Sequence, residues 1–363
     1  MSPAAEPDFV PGASLRSQVL AMTLRMTVKP FLGVWAVAPG LSWPAGILDR
    51  VARVLPSTQG ASHSRVELPR CAAELVVPAE SSSGAAIVYL HGGAFVTCGM
   101  NTHRRLTGKV AAAAGAVLLN VDYRMMPRHS IADAVEDGVA GYRWLRDRGF
   151  GANQIVLAGD SAGGYLVFAV ALRLAELGLQ PPAGLVAISP LTDMDSTVKV
   201  AHPAAGGCPV FPRAALPALT RLADQVDRRT DRRRRPPRVS PVDAPLAGLP
   251  PVLIHVGSTE ILFPDAELMA RRLTAAGVPV TLRVWDRQVH VFHAAADLIP
   301  EGTRAIAEIG EFIRCALSGA DRSGPDLREH VEVVAQSGIG VANGLGDEGA
   351  EEVAERPAGE SAG

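Results

Sequence analysis

Along most of this 363-residue chain, hydrophobic and polar positions come in blocks rather than singly. From residue 73 onward, short runs that are apolar almost throughout alternate with longer stretches whose apolar positions recur every three or four residues. The runs are Ala73–Val77, Ala86–Leu90, Val117–Val121, Gln154–Ala158, Leu185–Ser189, Val252–Val256 and Val280–Trp285. Continuous apolar runs suit strands buried on both faces, as in a parallel sheet. The stretches 102–114, 131–147, 162–177, 264–276 and 302–317 suit the helices that would cover such a sheet. The pattern predicts an α/β fold with a mostly parallel central sheet and helices on both faces. No internal repeat is visible.

The flanks depart from this alternation. Residues 1–12 read as a flexible tail. Residues 13–58 carry helical spacing at Leu15, Val19, Leu20, Met22, Leu24 and Met26, a break at Pro30, and a second piece around Ile47, Leu48, Val51 and Val54. This is the expected N-terminal part of a helical cap on an α/β domain spanning 59–317. An insertion at 192–240, holding the amphipathic piece Ala214–Val226 and then Arg228–Arg238, is the expected second part. Residues 318–363 are rich in Gly, Glu and Ala without periodicity, and are expected to be disordered. The run Arg232-Arg233-Arg234-Arg235 reads as a solvated loop, with an anionic partner or a lipid surface as the sharper alternative.

Composition narrows the classes. The formal net charge of −2 gives no reason to expect a nucleic-acid partner. Four cysteines lie far apart without any C-x-x-C spacing, so neither a metal site nor a disulfide framework is expected. Reduced thiols point to the cytoplasm. The start Met1-Ser2-Pro3-Ala4-Ala5-Glu6 lacks the features of a signal peptide. The apolar stretch Val19–Pro39 is interrupted by Arg25, Lys29, Pro30 and Gly33, so no span is expected. Peripheral membrane or cell-envelope contact through the N-terminal cap is retained as an alternative.

Chemistry concentrates at Gly159-Asp160-Ser161-Ala162-Gly163-Gly164, directly after an apolar run. The G-x-S-x-G pattern on a strand–turn–helix is the nucleophile elbow, whose glycines allow a close backbone approach. Chance supplies such a pentapeptide in roughly a tenth of chains this long. Its weight therefore rests on what accompanies it. A serine nucleophile needs a base, and the base needs an orienting acid. Past the last strand stand His290 and His293. Past the preceding strand stands Glu260, with Asp265 as its rival. The order Ser161, Glu260, His290 is that of an α/β-hydrolase triad. His293 reads instead as a structural or surface residue, and Asp265 as an acid favouring the first turn of a helix. For the oxyanion, backbone N–H groups of Gly92, Gly93 and Ala162 are the candidates, with Ala94 as a further donor and His91 supporting the loop. Asp160 and Arg124 read as holding the loops near the site. His63, His103, His202 and His255 read as core or surface residues.

Taken together, His91-Gly92-Gly93-Ala94-Phe95, Asp122-Tyr123-Arg124-Met125-Met126-Pro127, the elbow, Leu249-Pro250-Pro251 leading to Glu260, and His290-x-Phe292 resemble the hormone-sensitive-lipase-like α/β-hydrolases. The resemblance covers roughly residues 60–317. It implies an esterase or lipase acting on short- to medium-chain carboxylic esters without cofactor or metal. Three departures from the family pattern stand out: Ala94 replaces a third glycine, Glu260 stands where aspartate is commoner, and Arg128-His129-Ser130 replaces Glu-His-Pro. A deacetylase or amidase using the same triad is the rival within enzymes. A ligand receptor that has lost hydrolysis is the rival of another class.

Overall fold

The computed structural model describes residues 7–41, 43–54, 60–81, 84–229, 238–319 and 327. Its first elements are β1 (Asp8–Val10), α1 (Leu15–Val37), α2 (Ala45–Ala52), β2 (Ala61–Glu67), β3 (Ala72–Pro78), β4 (Ala86–Leu90), α3 (Met100–Ala114), β5 (Val117–Asp122) and α4 (Ile131–Asp147). There follow β6 (Ile155–Asp160), α5 (Ala162–Glu176), β7 (Gly184–Ile188), α6 (Thr197–Ala201), α7 (Pro203–Gly207) and α8 (Ala215–Arg229). The last are β8 (Val252–Gly257), α9 (Phe263–Ala275), β9 (Val280–Trp285) and α10 (Pro300–Ala316). Arg232–Arg235, and the predicted C-terminal tail apart from residues 318, 319 and 327, lie outside the described residues.

The strands form one sheet in the order β1-β9-β8-β7-β6-β4-β5-β3-β2. All pairings are parallel except β2 with β3 and β3 with β5. Side chains of a strand point alternately to the two faces, and β4 shows the result. Val88 and Leu90 enter the core under α4 and α5, whereas Ile87 and Tyr89 enter the core under α3 and α10. Every residue of β4 is buried, which is why the run is apolar throughout.

Two sequence expectations change. The tail 1–12 contributes β1, a short edge strand pairing with β9 through Asp8↔Arg283, Phe9↔Val284 and Val10↔Trp285. Val10 is buried by this pairing. The break expected at Pro30 is absent, and α1 runs through it to Val37. A proline inside a helix forfeits one bond, here to the Met26 carbonyl, on the side where Met26 is exposed. Further on, Ser130 caps α4 with a reciprocal bond to Asp133, giving a local role to one departure in the Arg128-His129-Ser130 segment.

The register brings one set of loops together. Leu90 lies opposite Gly159, Asp160 opposite Ile188, Ile188 opposite His255, and Gly257 opposite Trp285. The segments beginning at His91, Ser161, Ser189, Ser258 and Asp286 therefore leave the sheet at the carboxyl ends of neighbouring parallel strands. Sites of open α/β sheets form at that edge.

Candidate active site

The elbow forms because its backbone passes too close to its neighbours for side chains. A Cβ on Gly159 would stand 2.6 Å from the Leu90 carbonyl oxygen, and one on Gly163 would overlap the same atom. Ser161 itself sits at φ 55° and ψ −116°, a sparsely populated conformation for a residue with a Cβ. Its N–H donates to the Ile188 carbonyl at 2.8 Å, and its carbonyl accepts from Leu191 N–H at 3.0 Å. These bonds to the chain around the end of β7 hold the turn. The serine stands at the N-terminal end of α5, and Ala162 is the first helical residue.

Glu260 and His290 meet. The Nδ1–H of His290 donates to Glu260 Oε2 at 2.7 Å. A carboxylate only accepts, so this bond places the proton on Nδ1 and leaves Nε2 with its lone pair. The other oxygen, Oε1, accepts from Gly257 N–H at 2.6 Å and from the Ser189 hydroxyl at 2.7 Å. Glu260 is completely buried, and both its oxygens are bonded. The crossing of the two loops is close enough that a Cβ on Gly257 would overlap the Gln288 carbonyl oxygen. Ser189, at φ 46°, also accepts from the Val291 N–H at 3.1 Å. One hydroxyl thus ties the end of β7 to both the acid and the segment carrying the histidine.

The loop after β4 is organised by Asp160. Its carboxylate accepts from Tyr89 hydroxyl at 2.8 Å and from Gly92 N–H at 3.1 Å, and faces His103 Nε2 at 3.3 Å. Gly92 was expected to donate to an oxyanion, but its N–H is already committed to a buried carboxylate. Its glycine identity is explained by the same contact, since a Cβ there would overlap Asp160 Oδ2. The N–H groups of Gly93, Ala94 and Ala162 make no hydrogen bond among the described residues. Ala94 and Phe95 both lie at positive φ, near 56°, so the residue replacing the third glycine is held in a conformation glycine adopts freely. His91 donates from Nδ1 to the Gly92 carbonyl at 2.7 Å and stacks on Tyr123 with ring centroids 4.3 Å apart. Burial, together with the nearby His103, lowers its pKa to about 4, so the ring is neutral at pH 7.

A family model for the alpha/beta hydrolase fold matches residues 87–294. Esterase LipU of Mycobacterium tuberculosis is 45% identical over 295 residues, covering 80% of this chain and 99% of that protein. Carboxylesterase/phospholipase LipF of the same organism is 41% identical over 317 residues, covering 86% and 85%. A crystal structure of an esterase from the bacterial hormone-sensitive lipase family superposes with a TM-score of 0.73 at 32% identity, covering 85% of this chain and all of that one. The chain belongs to the hormone-sensitive-lipase-like α/β-hydrolases. It is accordingly a serine hydrolase of the esterase and lipase class.

In this esterase the rival residues go elsewhere. Asp265 lies in the first turn of α9, but its carboxylate binds Lys199 Nζ at 2.7 Å and the N–H groups of Thr192 and Asp193. That buried cluster fastens the start of the 192–240 insertion to α9. His293 is fully buried with its Nε2 3.1 Å from His255 Nδ1, and burial depresses the pKa of both rings. His103, read from the sequence as a core or surface residue, is buried against Asp160. Burial works against its charged form, but Asp160 outweighs this and raises its pKa. Asp160 in turn, despite burial, is held below the usual carboxylate range by His103. Arg124 binds Asp137 through both carboxylate oxygens, pinning the loop after β5 to α4. A groove bordered by Arg143, Arg173 and Arg238 includes none of Ser161, Glu260 and His290.

Ser189 is the residue that sequence reasoning missed. A serine closing an apolar strand carries no local signal. Its part emerges only from the sheet order, which sets β7 between the elbow strand β6 and the acid strand β8.

Proposed function

We propose that the esterase hydrolyses short- to medium-chain carboxylic esters through a Ser161–His290–Glu260 triad and an acyl-enzyme. The bond from His290 Nδ1 to buried Glu260 carries this reading, because it leaves Nε2 as the base. Ser161 attacks the ester carbonyl as His290 Nε2 takes its proton. The tetrahedral oxyanion accepts from the N–H groups of Gly93, Ala94 and Ala162. His290 then protonates the departing alcohol and activates the water that releases the acid. Glu260 fixes the imidazole tautomer and stabilises the imidazolium formed in both steps.

The 192–240 insertion supplies one wall of the acyl site in this reading. Phe211 meets the His290 ring edge to face, with centroids 4.8 Å apart. An aromatic ring there excludes water and favours an apolar acyl chain. The purified protein should hydrolyse p-nitrophenyl acetate, butyrate and hexanoate with higher kcat/KM than the palmitate. It should leave the matching p-nitroanilides essentially intact. Faster cleavage of the anilides would favour the amidase alternative, and a palmitate optimum would reject the chain-length assignment.

Ser189→Ala gives an independent check on the acid. It removes one bond to a buried carboxylate, an interaction worth about 1.5–3 kcal/mol. If most of that loss falls on orientation of His290, kcat should drop about tenfold to a hundredfold with KM nearly unchanged. Steady-state kinetics on p-nitrophenyl butyrate measures it, and an unchanged kcat in a folded variant would remove Ser189 from the positioning role.

A further inference from the structure

A helix packed on a protein surface normally buries one stripe and presents polar residues on the other. Helix α1 does not. Its inward face carries Leu20, Leu24, Val28, Leu32 and the buried Trp35. Its outward stripe is also apolar: Leu15, Val19, Met22 and Met26 follow one another at four, three and four residues, and all are more than half exposed. Helix α2 likewise exposes Ile47, Leu48 and Val51. Of the sixteen large hydrophobic side chains exposed among the described residues, twelve lie between positions 15 and 54. The concentration marks an interaction surface rather than scattered exposure.

The charges on this segment are one-sided. Residues 13–58 contain Arg16, Arg25, Lys29, Arg50 and Arg53 but a single carboxylate, Asp49, in a chain of net charge −2. Asp49 is turned inward to Asn101 and to the Thr102 N–H at the start of α3. Arg25 and Lys29 donate to the neutral carbonyls of Gly207 and Cys208, so their charge is not cancelled. No helix of the described residues is long and apolar enough to cross a membrane. An apolar stripe flanked by arginines, on a helix that does not span, has the chemistry of an element lying in the plane of an anionic bilayer. A second copy fits less well, since a two-fold pairing would set these cations against one another.

We infer that the outer face of α1 and α2 is a lipid-surface docking site that recognises anionic phospholipid headgroups through its arginines and the acyl boundary through Leu15, Val19, Met22 and Met26. The same helix holds the site. The carbonyls bound by Arg25 and Lys29 belong to the segment leading to Phe211, whose ring rests on His290. Docking therefore seats the enzyme on the bilayer by the element that also steadies one wall around the histidine.

Flotation of the full chain with vesicles tests the inference without relying on activity. Binding should be strong to vesicles of phosphatidylcholine and phosphatidylglycerol in equal parts, weak to phosphatidylcholine alone, and reduced by high salt. Arg16→Ser/Arg50→Ser/Arg53→Ser should weaken it on the order of a hundredfold. Met22→Glu/Met26→Glu should weaken it at least about tenfold. Both variants should keep wild-type hydrolysis of soluble p-nitrophenyl butyrate, which shows they are folded. Absence of vesicle binding, or equal binding to both compositions, overturns the inference. So does a dimer in sedimentation that Met22→Glu/Met26→Glu dissociates, since a second copy would then cover the face. Protection of Met22 and Met26 from peroxide in the vesicle-free monomer would overturn it too, by showing that another segment of the chain lies there.

Discussion

Ser161→Ala should reduce kcat on p-nitrophenyl butyrate by a factor of roughly 10⁶, to a residue of catalysis supplied by the oxyanion donors and binding alone. The magnitude follows from what the hydroxyl does in the proposed mechanism. Without it there is no acyl-enzyme, and His290 and Glu260 have no nucleophile to activate. The substitution leaves the elbow in place. Alanine keeps the Cβ, the N–H bond to Ile188 and the carbonyl bond to Leu191. Its backbone keeps the positive φ, so the thermal midpoint should stay close to that of the wild type. A rate equal to the wild type would show that hydrolysis proceeds elsewhere. Equal and negligible rates in both proteins would favour the receptor on the same fold.

Much of the molecule could be read from the chain because its signals are local. The apolar run of β4 reports burial on two faces. The periodic stretch 131–147 coincides with α4, bounded by Ser130 as its cap. The elbow glycines stand within two residues of the nucleophile, so the pattern is legible even though the atoms they approach belong to distant Leu90. What escaped depends on partners distant in sequence. Asp8–Val10 is a strand only because β9, some 270 residues later, offers an edge. Strand β2 is polar, with only Ser64 and Val66 buried, because it too lies at an edge and needs no continuous apolar run. The continuity of α1 through Pro30 depends on packing against α8 and the segment at 207–208, which propensity does not contain.

The loop after β4 shows the same boundary within the site. The spacing of His91-Gly92-Gly93-Ala94 places the loop but not the direction of each N–H. Gly92 turns inward because Asp160, adjacent to the nucleophile, reaches across from β6 and collects the Gly92 N–H, Tyr89 and His103 around one carboxylate. The elbow aspartate therefore shapes the loop after β4, and in the proposed mechanism the donor role falls to the residues after Gly92.

The acid assignment rests on a contrast between two buried carboxylates five residues apart, and substitution should separate them. Glu260→Gln should lower kcat by about 10⁴-fold, the scale seen when the acid of a serine triad becomes an amide. Whichever amide atom faces His290, the anion that fixes the Nδ1 tautomer and balances the imidazolium is gone. If the amide nitrogen takes the Oε1 place, it also meets the Gly257 N–H, a donor against a donor. Asp265→Asn should act on a different quantity. It leaves Lys199 buried without its counter-charge, and breaking a buried pair from one side costs about 3–5 kcal/mol of stability. Only 2% of the Asp265 surface is exposed, so solvent offers Lys199 little compensation. The insertion should loosen and the thermal midpoint should fall, while kcat of the remaining folded protein stays within a few-fold of wild type. Measuring both variants by calorimetry and by kinetics, below the melting range of each, separates catalysis from stability. A catalytic loss in Asp265→Asn without a loss in Glu260→Gln would transfer the acid to Asp265, and the bond between Glu260 and His290 would then be a structural tether of the loop.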